Sequence, residues 1–159
     1  MLSLYIMRHG DAQPARLGQD DAERCLSPLG HTEIAQVVEQ LATELSHFDV
    51  LIHSPYQRAR ETAQAVLAKI PATDVIESHE CTPAGDASQF GDGLLALLEL
   101  KYPAAERILI VSHMPLVSYL VEHFSLDQQC PLFATAAVVR VDIEQRQSRG
   151  IVSAVIQPS

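Results

Sequence analysis

Residues 2–12 read Leu-Ser-Leu-Tyr-Ile-Met-Arg-His-Gly-Asp-Ala. Leu2–Met7 is short, apolar and rich in strand formers, which fits a buried β-strand. Such a strand normally gives way to turn residues. This one runs straight into Arg8 and His9 before Gly10 breaks it. Two potential cations side by side at a strand end are either solvated or placed for an anion, and the rest of the chain decides between these.

A polar, acidic loop over residues 10–26 follows. At Ser27-Pro28 a helix is expected, with serine as N-cap and proline in the first helical position. Ile34, Val37, Val38, Leu41 and Leu45 then recur at helical spacing. Residues 49–53 read as a second buried strand, and a second Ser-Pro at 54–55 opens a helix marked by Ala59, Thr62, Ala65, Val66 and Ile70. Residues 75–78 form a weaker third strand, followed by a loop punctuated by Pro83 and Gly85. Phe90, Leu94, Leu97 and Leu98 mark a third helix that Pro103 stops. Residues 107–111 are the clearest strand, and Ser112-His113-Met114-Pro115 leads into a short fourth helix through Leu120 and Phe124. Strands at 138–143 and 151–156, joined by the polar turn 144–150, form a closing hairpin.

Strand and helix thus alternate four times before the hairpin. That order implies one domain over residues 1–159, with a largely parallel sheet between helices on both faces. In such sheets the ligand crevice lies beyond the carboxyl ends of the strands. Arg8 and His9 follow strand one, Arg58 lies just past strand two, and His113 follows strand four. Two of these clusters also open helices, where free N–H groups and the helix dipole favour anions. Arginine forks match phosphate oxygens bidentately, so Arg8, His9, Arg58 and His113 make a candidate phosphate site. Arg60, about 200° around the helix from Arg58, points elsewhere. His31, His47, His53, His79 and His123 lack such context and read as surface or structural residues.

Composition narrows the function classes. Of 159 residues 47% are hydrophobic and 19% charged, enough apolar material for a core. Eleven Lys+Arg against 20 Asp+Glu give a net charge of −9, which repels nucleic acid and anionic lipid and makes local basic clusters stand out. No apolar run approaches the roughly 18 residues of a membrane helix, and Arg8 interrupts the N-terminus in a way no secretory signal does. Cys25, Cys81 and Cys130 are widely spaced and odd in number, which speaks against a disulfide framework and for a reducing cytoplasm. A catalytic zinc site on His9 and His113 is the weaker alternative, because such sites usually take three protein ligands and no H-E-x-x-H is present. Glycine-rich nucleotide loops are absent too, so neither metal nor cofactor is expected.

Met7-Arg8-His9-Gly10, Ser54-Pro55-x-x-Arg58-Ala59-x-x-Thr62 and Ser112-His113 together resemble the three sequence blocks of the histidine phosphatase superfamily, the phosphoglycerate-mutase-like proteins. The stretches RHGDA at 8–12, ECTPAGD at 80–86 and SHMPLV at 112–117 are similar to its small bacterial phosphohistidine phosphatases of the SixA type. The resemblance spans residues 4 to about 140. It implies an α/β/α sandwich around a six-stranded, mostly parallel sheet with one antiparallel strand. It also implies a nucleophilic His9 that is phosphorylated and then hydrolysed, with Arg8, Arg58 and His113 neutralising the phosphoryl oxygens.

Family members that act on phosphate esters carry an acidic proton donor near a Trp-Glu-Gly stretch. Here that region reads Glu80-Cys-Thr-Pro-Ala-Gly-Asp86 and the chain has no tryptophan. Glu80 is the candidate donor that remains. An alkoxide needs protonation to leave, whereas an imidazole leaves well without it, so the departure favours a phosphohistidine substrate. With no room for an inserted lid, the expected partner is a phosphorylated protein such as the phosphotransfer domain of a two-component relay. A small-molecule phosphomonoesterase and a non-catalytic phosphate-binding module are the alternatives.

Overall fold

A computed structural model describes residues 1–159. Its strands are β1 (Leu2–Arg8), β2 (Phe48–His53), β3 (Ala72–Glu77), β4 (Arg107–Ser112), β5 (Val138–Ile143) and β6 (Ile151–Ile156). Its helices are α1 (Pro28–Leu41), α2 (Gln57–Leu67), α3 (Ala87–Lys101) and α4 (Leu116–Phe124). The six strands form one sheet in the order β3-β2-β4-β1-β5-β6. All neighbours pair parallel except β5, which runs antiparallel to both β1 and β6, as expected for one reversed strand.

The apolar runs of β1, β2 and β4 are continuous because each strand is covered on both faces, and the two-residue period splits each run between two cores. Leu4, Ile6, Val50, Ile52, Ile108 and Ile110 face α3 and α4. Tyr5, Met7, Leu51, Leu109 and Val111 face α1 and α2, and Phe48 at the start of β2 joins their cluster out of alternation. This is the three-layer sandwich the element order implies.

α1 and α2 end at Leu41 and Leu67, short of Leu45 and Ile70, which the helical spacing includes, and two element starts differ from the sequence reading for identifiable reasons. Ser27 caps α1 as expected, accepting from the Gly30 N–H at 3.0 Å. The second Ser-Pro does not repeat this: α2 begins at Gln57 behind Tyr56, so Arg58 is its second residue rather than one turn in. The Ser54 hydroxyl is committed elsewhere, to the Tyr56 N–H and to His113. β3 starts at Ala72, earlier than its apolar residues suggest, because it is an edge strand with alternating exposure and needs no continuous run.

Gly10 and Gly30 let the loop after β1 lie against the first turn of α1. A Cβ on Gly30 would stand 2.2 Å from the Asp11 carbonyl oxygen, and the backbone cannot yield there without moving the loop. Gly93, exposed within α3, has nothing within 4 Å of a built Cβ. Gly30→Ala should therefore destabilise the fold by about 1–3 kcal/mol. Gly93→Ala should stabilise it by about 0.5–1 kcal/mol through helix propensity. Urea midpoints at constant m check both. Equal stability of Gly30→Ala and the unaltered protein would show that the approach imposes no constraint.

Candidate active site

β1 and β4 are paired at the middle of the sheet, with Arg8 opposite Ser112. That register brings the next residues, His9 and His113, together at the carboxyl ends. Their rings stand 5.0 Å apart between centroids, at 61°. The His9 N–H donates to the Ser112 carbonyl at 3.0 Å, so the two strand ends are tied where the pair stands. β2 is the other neighbour of β4, and its exit at Ser54 faces the His113 ring. All four residues expected from the sequence, Arg8, His9, Arg58 and His113, line one cavity of about 220 Å³.

His9 is buried, and its Nδ1 lies 2.7 Å from the Gly10 carbonyl oxygen. A carbonyl only accepts, so Nδ1 carries the proton. Nε2 then holds the lone pair, and the Arg58 Nε–H donates to it at 3.2 Å. Burial, with Arg58 and Arg8 nearby, pushes the His9 pKa down to about 4. Burial first, then the neighbouring His9, Arg58 and Arg8, pushes His113 down to about 2. Both rings are neutral at physiological pH, and the cavity's positive charge comes from arginines.

Arg58 is only 5% exposed. Its Nη1 donates to the Asp21 carbonyl at 2.7 Å and its Nη2 to the Asp21 carboxylate at 3.0 Å. Arg60, two residues on, instead reaches outward to Glu77 at 2.7 Å. The Arg8 Nη1 donates to the Phe133 carbonyl at 2.8 Å, which anchors the segment before β5, while its buried Nε has no partner. The His113 Nδ1 is likewise buried and unpartnered. Two unpaired polar nitrogens on residues that line one cavity fit a site completed by an anion.

Several contributors were not singled out from the sequence. Arg24 lines the cavity, held by the Asp21 carboxylate at 3.0 Å and the Gln13 carbonyl at 2.8 Å. Asp21 therefore bridges two guanidinium groups, and hydrogen bonds from Arg24 and Arg58 hold its carboxyl below the usual range. Glu33 accepts from the Asp11 N–H and the Thr135 hydroxyl, stitching the loop after β1 to the segment before β5. Thr62 accepts from the Gly10 N–H and donates to the Arg58 carbonyl. Arg24, Asp21 and Glu33 lie on no periodic stripe and at no strand end, so no sequence signal marked them, whereas Thr62 stood on the second helix's stripe and in the second sequence block without a role.

Glu80 lies on a one-turn helix at His79–Cys81, which is fastened to β4 by a hydrogen bond from Ser112 Oγ to the Cys81 carbonyl at 2.7 Å. Its side chain is exposed and does not line the cavity. Asp11 does line it, with its carboxylate engaged by the Ser27 hydroxyl at 2.6 Å. His31, His47, His53, His79 and His123 are all outside the lining. His53 bonds through its ring to the Ser54 carbonyl, as a structural residue would. The three cysteines are free, and no helix is long and apolar enough to cross a membrane.

Comparison with known proteins places this geometry. Residues 4–80 match the family model of the histidine phosphatase superfamily, branch 1. Phosphohistidine phosphatase SixA of Escherichia coli K12 is 30% identical over 146 residues, covering 91% of this chain and 87% of that protein. A SixA homolog of Haemophilus influenzae is 32% identical over 128 residues, covering 76% of this chain and 75% of its own. The structure of the protein histidine phosphatase SixA complexed with tungstate superposes with a TM-score of 0.89 at 27% identity, covering 99% of this chain and 97% of that one. With its three sequence blocks gathered on one cavity and such relatives along nearly its whole length, the chain belongs to the histidine phosphatase superfamily and is a phosphatase.

Proposed function

We propose that this phosphatase removes phosphate from a phosphohistidine displayed on another protein, of the kind found on phosphotransfer domains of two-component relays, through a phosphohistidine formed on its own His9. The observation that carries the reading is the hydrogen-bond pattern of His9: Nδ1–H held by Gly10, and the Nε2 lone pair in a cavity lined by Arg8, Arg24 and Arg58. In the first step Nε2 attacks phosphorus in line, the P–N bond to the substrate breaks, and the substrate imidazole leaves neutral with a proton on its other nitrogen. In the second, water attacks phosphorus and the bond to Nε2 breaks. His9 leaves as a neutral imidazole, still carrying Nδ1–H, and the water's proton departs with the phosphate. Arg8, Arg58 and the His113 imidazole stabilise charge on the phosphoryl oxygens throughout.

Two features support a phosphohistidine over an ester. The carboxyl groups beside the cavity are not poised as acids: Asp21 is held ionised between arginines, and Asp11 is engaged by Ser27. A positioned acid typically contributes about 10²–10⁴-fold where the leaving group needs a proton, as an alkoxide does. The cavity of about 220 Å³ is also below the roughly 300–1,000 Å³ of pockets that enclose a whole small molecule. It suits a substrate that inserts its phosphoryl end and stays largely outside. Tungstate is a tetrahedral oxyanion, and its presence in the SixA complex supports the same use of the site here. The free thiols suit action in the cytoplasm.

The test compares kcat/KM, in excess EDTA, for a phosphohistidine-bearing phosphotransfer domain, a phosphoserine peptide and a sugar phosphate. The phosphoprotein should be turned over much the fastest. His9→Ala should abolish turnover, and Arg58→Ala and His113→Ala should each lower kcat/KM by roughly 10²–10³-fold. Arg60→Ala should change little. If esters are hydrolysed as well or better and Glu80→Gln removes that activity, the protein is a phosphomonoesterase with Glu80 as its acid. Failure to turn over any of the panel would leave a phosphate-binding module.

Neutrality of the nucleophile has its own signature in stability. In the unfolded chain His9 takes up a proton as pH falls through about 6.5. In the folded protein it stays neutral to about 4. The unfolded state thus binds more protons in this window, and stability must fall as pH falls. His9 adds up to about 1.4 kcal/mol per pH unit to that slope. Urea unfolding in oxyanion-free buffers between pH 6.5 and 4.5 should show it, and His9→Gln should make the slope shallower. An unchanged slope in His9→Gln would mean that the imidazole is protonated in the native protein.

A further inference from the structure

Ser54, from the second sequence block, is fully buried at the exit of β2. Its Oγ makes two hydrogen bonds, with the Tyr56 N–H at 3.2 Å and with His113 Nε2 at 2.8 Å. The Tyr56 amide can only donate, so toward it Ser54 acts as acceptor. That leaves the hydroxyl's own proton, and the only acceptor it meets is His113 Nε2. A neutral imidazole carries one proton. If Nε2 accepts from Ser54, the proton must be on Nδ1, the nitrogen that is buried and has no protein partner.

The opposite tautomer fails twice. With the proton on Nε2, the Ser54 hydroxyl would be a buried donor with no acceptor. Nδ1 would then present a lone pair to an arriving phosphoryl oxygen, which is itself only an acceptor. We infer that Ser54 is a positioning residue: by donating to Nε2 it locks His113 in the Nδ1–H tautomer, so that a neutral ring donates a hydrogen bond to the phosphoryl group. The inference rests on the reading of this cavity as a phosphoryl site. Burial and the neighbouring Arg58 and Arg8 keep the ring from gaining a second proton, so in the free protein its tautomer decides what it offers. His9 is held in the same tautomer by the Gly10 carbonyl. A backbone acceptor fixes the nucleophile by taking a proton, and a side-chain donor fixes its neighbour by giving one.

Heteronuclear NMR of the ring nitrogens in histidine-labelled protein, at neutral pH and without oxyanions, reads the tautomer directly. His113 should show a protonated Nδ1 and a hydrogen-bonded, unprotonated Nε2; a proton on Nε2 overturns the assignment. The spectra need no substrate, so they decide the tautomer whatever the enzyme turns over. In the activity assay Ser54→Ala should lower kcat/KM by about 10–100-fold, the usual effect of removing a partner that orients a functional histidine. Ser54→Thr, which keeps a hydroxyl, should recover most of the loss. In a His113→Ala background Ser54→Ala should cost nothing further, because the serine acts only through that ring. A full second loss in the double variant would show a merely structural serine and overturn the proposal. Should the Ser54 variants fold poorly, the spectrum of the unaltered protein still decides.

Discussion

The pairing of β1 with β4 is the constraint on which the rest depends. Both strands are buried on two faces, and their register is fixed by which residues enter which core. A slip of one residue would exchange Ile6 and Met7 between cores, and with them the directions of Arg8 and His9. The site therefore inherits its precision from apolar packing: two histidines meet because two hydrophobic runs end level with each other. The second layer of order is polar and local. Ser54, Thr62 and Glu33 each tie a site residue or its loop to a different element, and the Gly10 carbonyl fixes the ring of its neighbour His9, so the geometry is over-determined from several sides.

Charge is distributed to the same end. The chain carries a net −9, yet three arginines line one small cavity. An acidic surface disfavours polyanions such as nucleic acid, while the cavity attracts a single compact anion. Asp21 is the counterweight inside this arrangement. It holds Arg58 and Arg24 in place by their terminal nitrogens and leaves the Arg58 Nε directed at His9. A buried guanidinium with no such partner would be mobile or costly to desolvate, and the exposed carboxylate lets Asp21 serve without being buried itself.

Most of the fold was legible in the sequence because its strands are buried and its helices are amphipathic. The Ser27-Pro28 cap and the closing hairpin follow from local chemistry. Arg8, His9, Arg58 and His113 were legible because they stand at the ends of strands that a parallel sheet must bring to one edge. What stayed hidden depends on where loops travel. Arg24 and Asp21 come from a polar stretch with no period, and half of Asp21's contribution is a backbone carbonyl, which any residue type would supply. The start of α2 was misjudged for a related reason. Ser54 looks like a helix cap in sequence, and only the fold shows that its hydroxyl is engaged by His113.

The proposed chemistry accounts for how little the site contains. When substrate and enzyme both present phosphorus to an imidazole nitrogen, the entering and leaving groups in the first step are chemically alike. Neither requires a proton delivered during bond cleavage, provided each ring holds one on its far nitrogen. For His9 that condition is met by a single backbone carbonyl. The remaining demand is stabilisation of charge on three phosphoryl oxygens, which falls to arginines and one neutral imidazole. An ester substrate would add the demand for a proton donor, and the carboxylates nearest the cavity are already committed to Ser27, Arg24 and Arg58. The same economy explains why a cavity of only about 220 Å³ suffices: it has to enclose the group being transferred, and the surface of a protein partner can shield the rest.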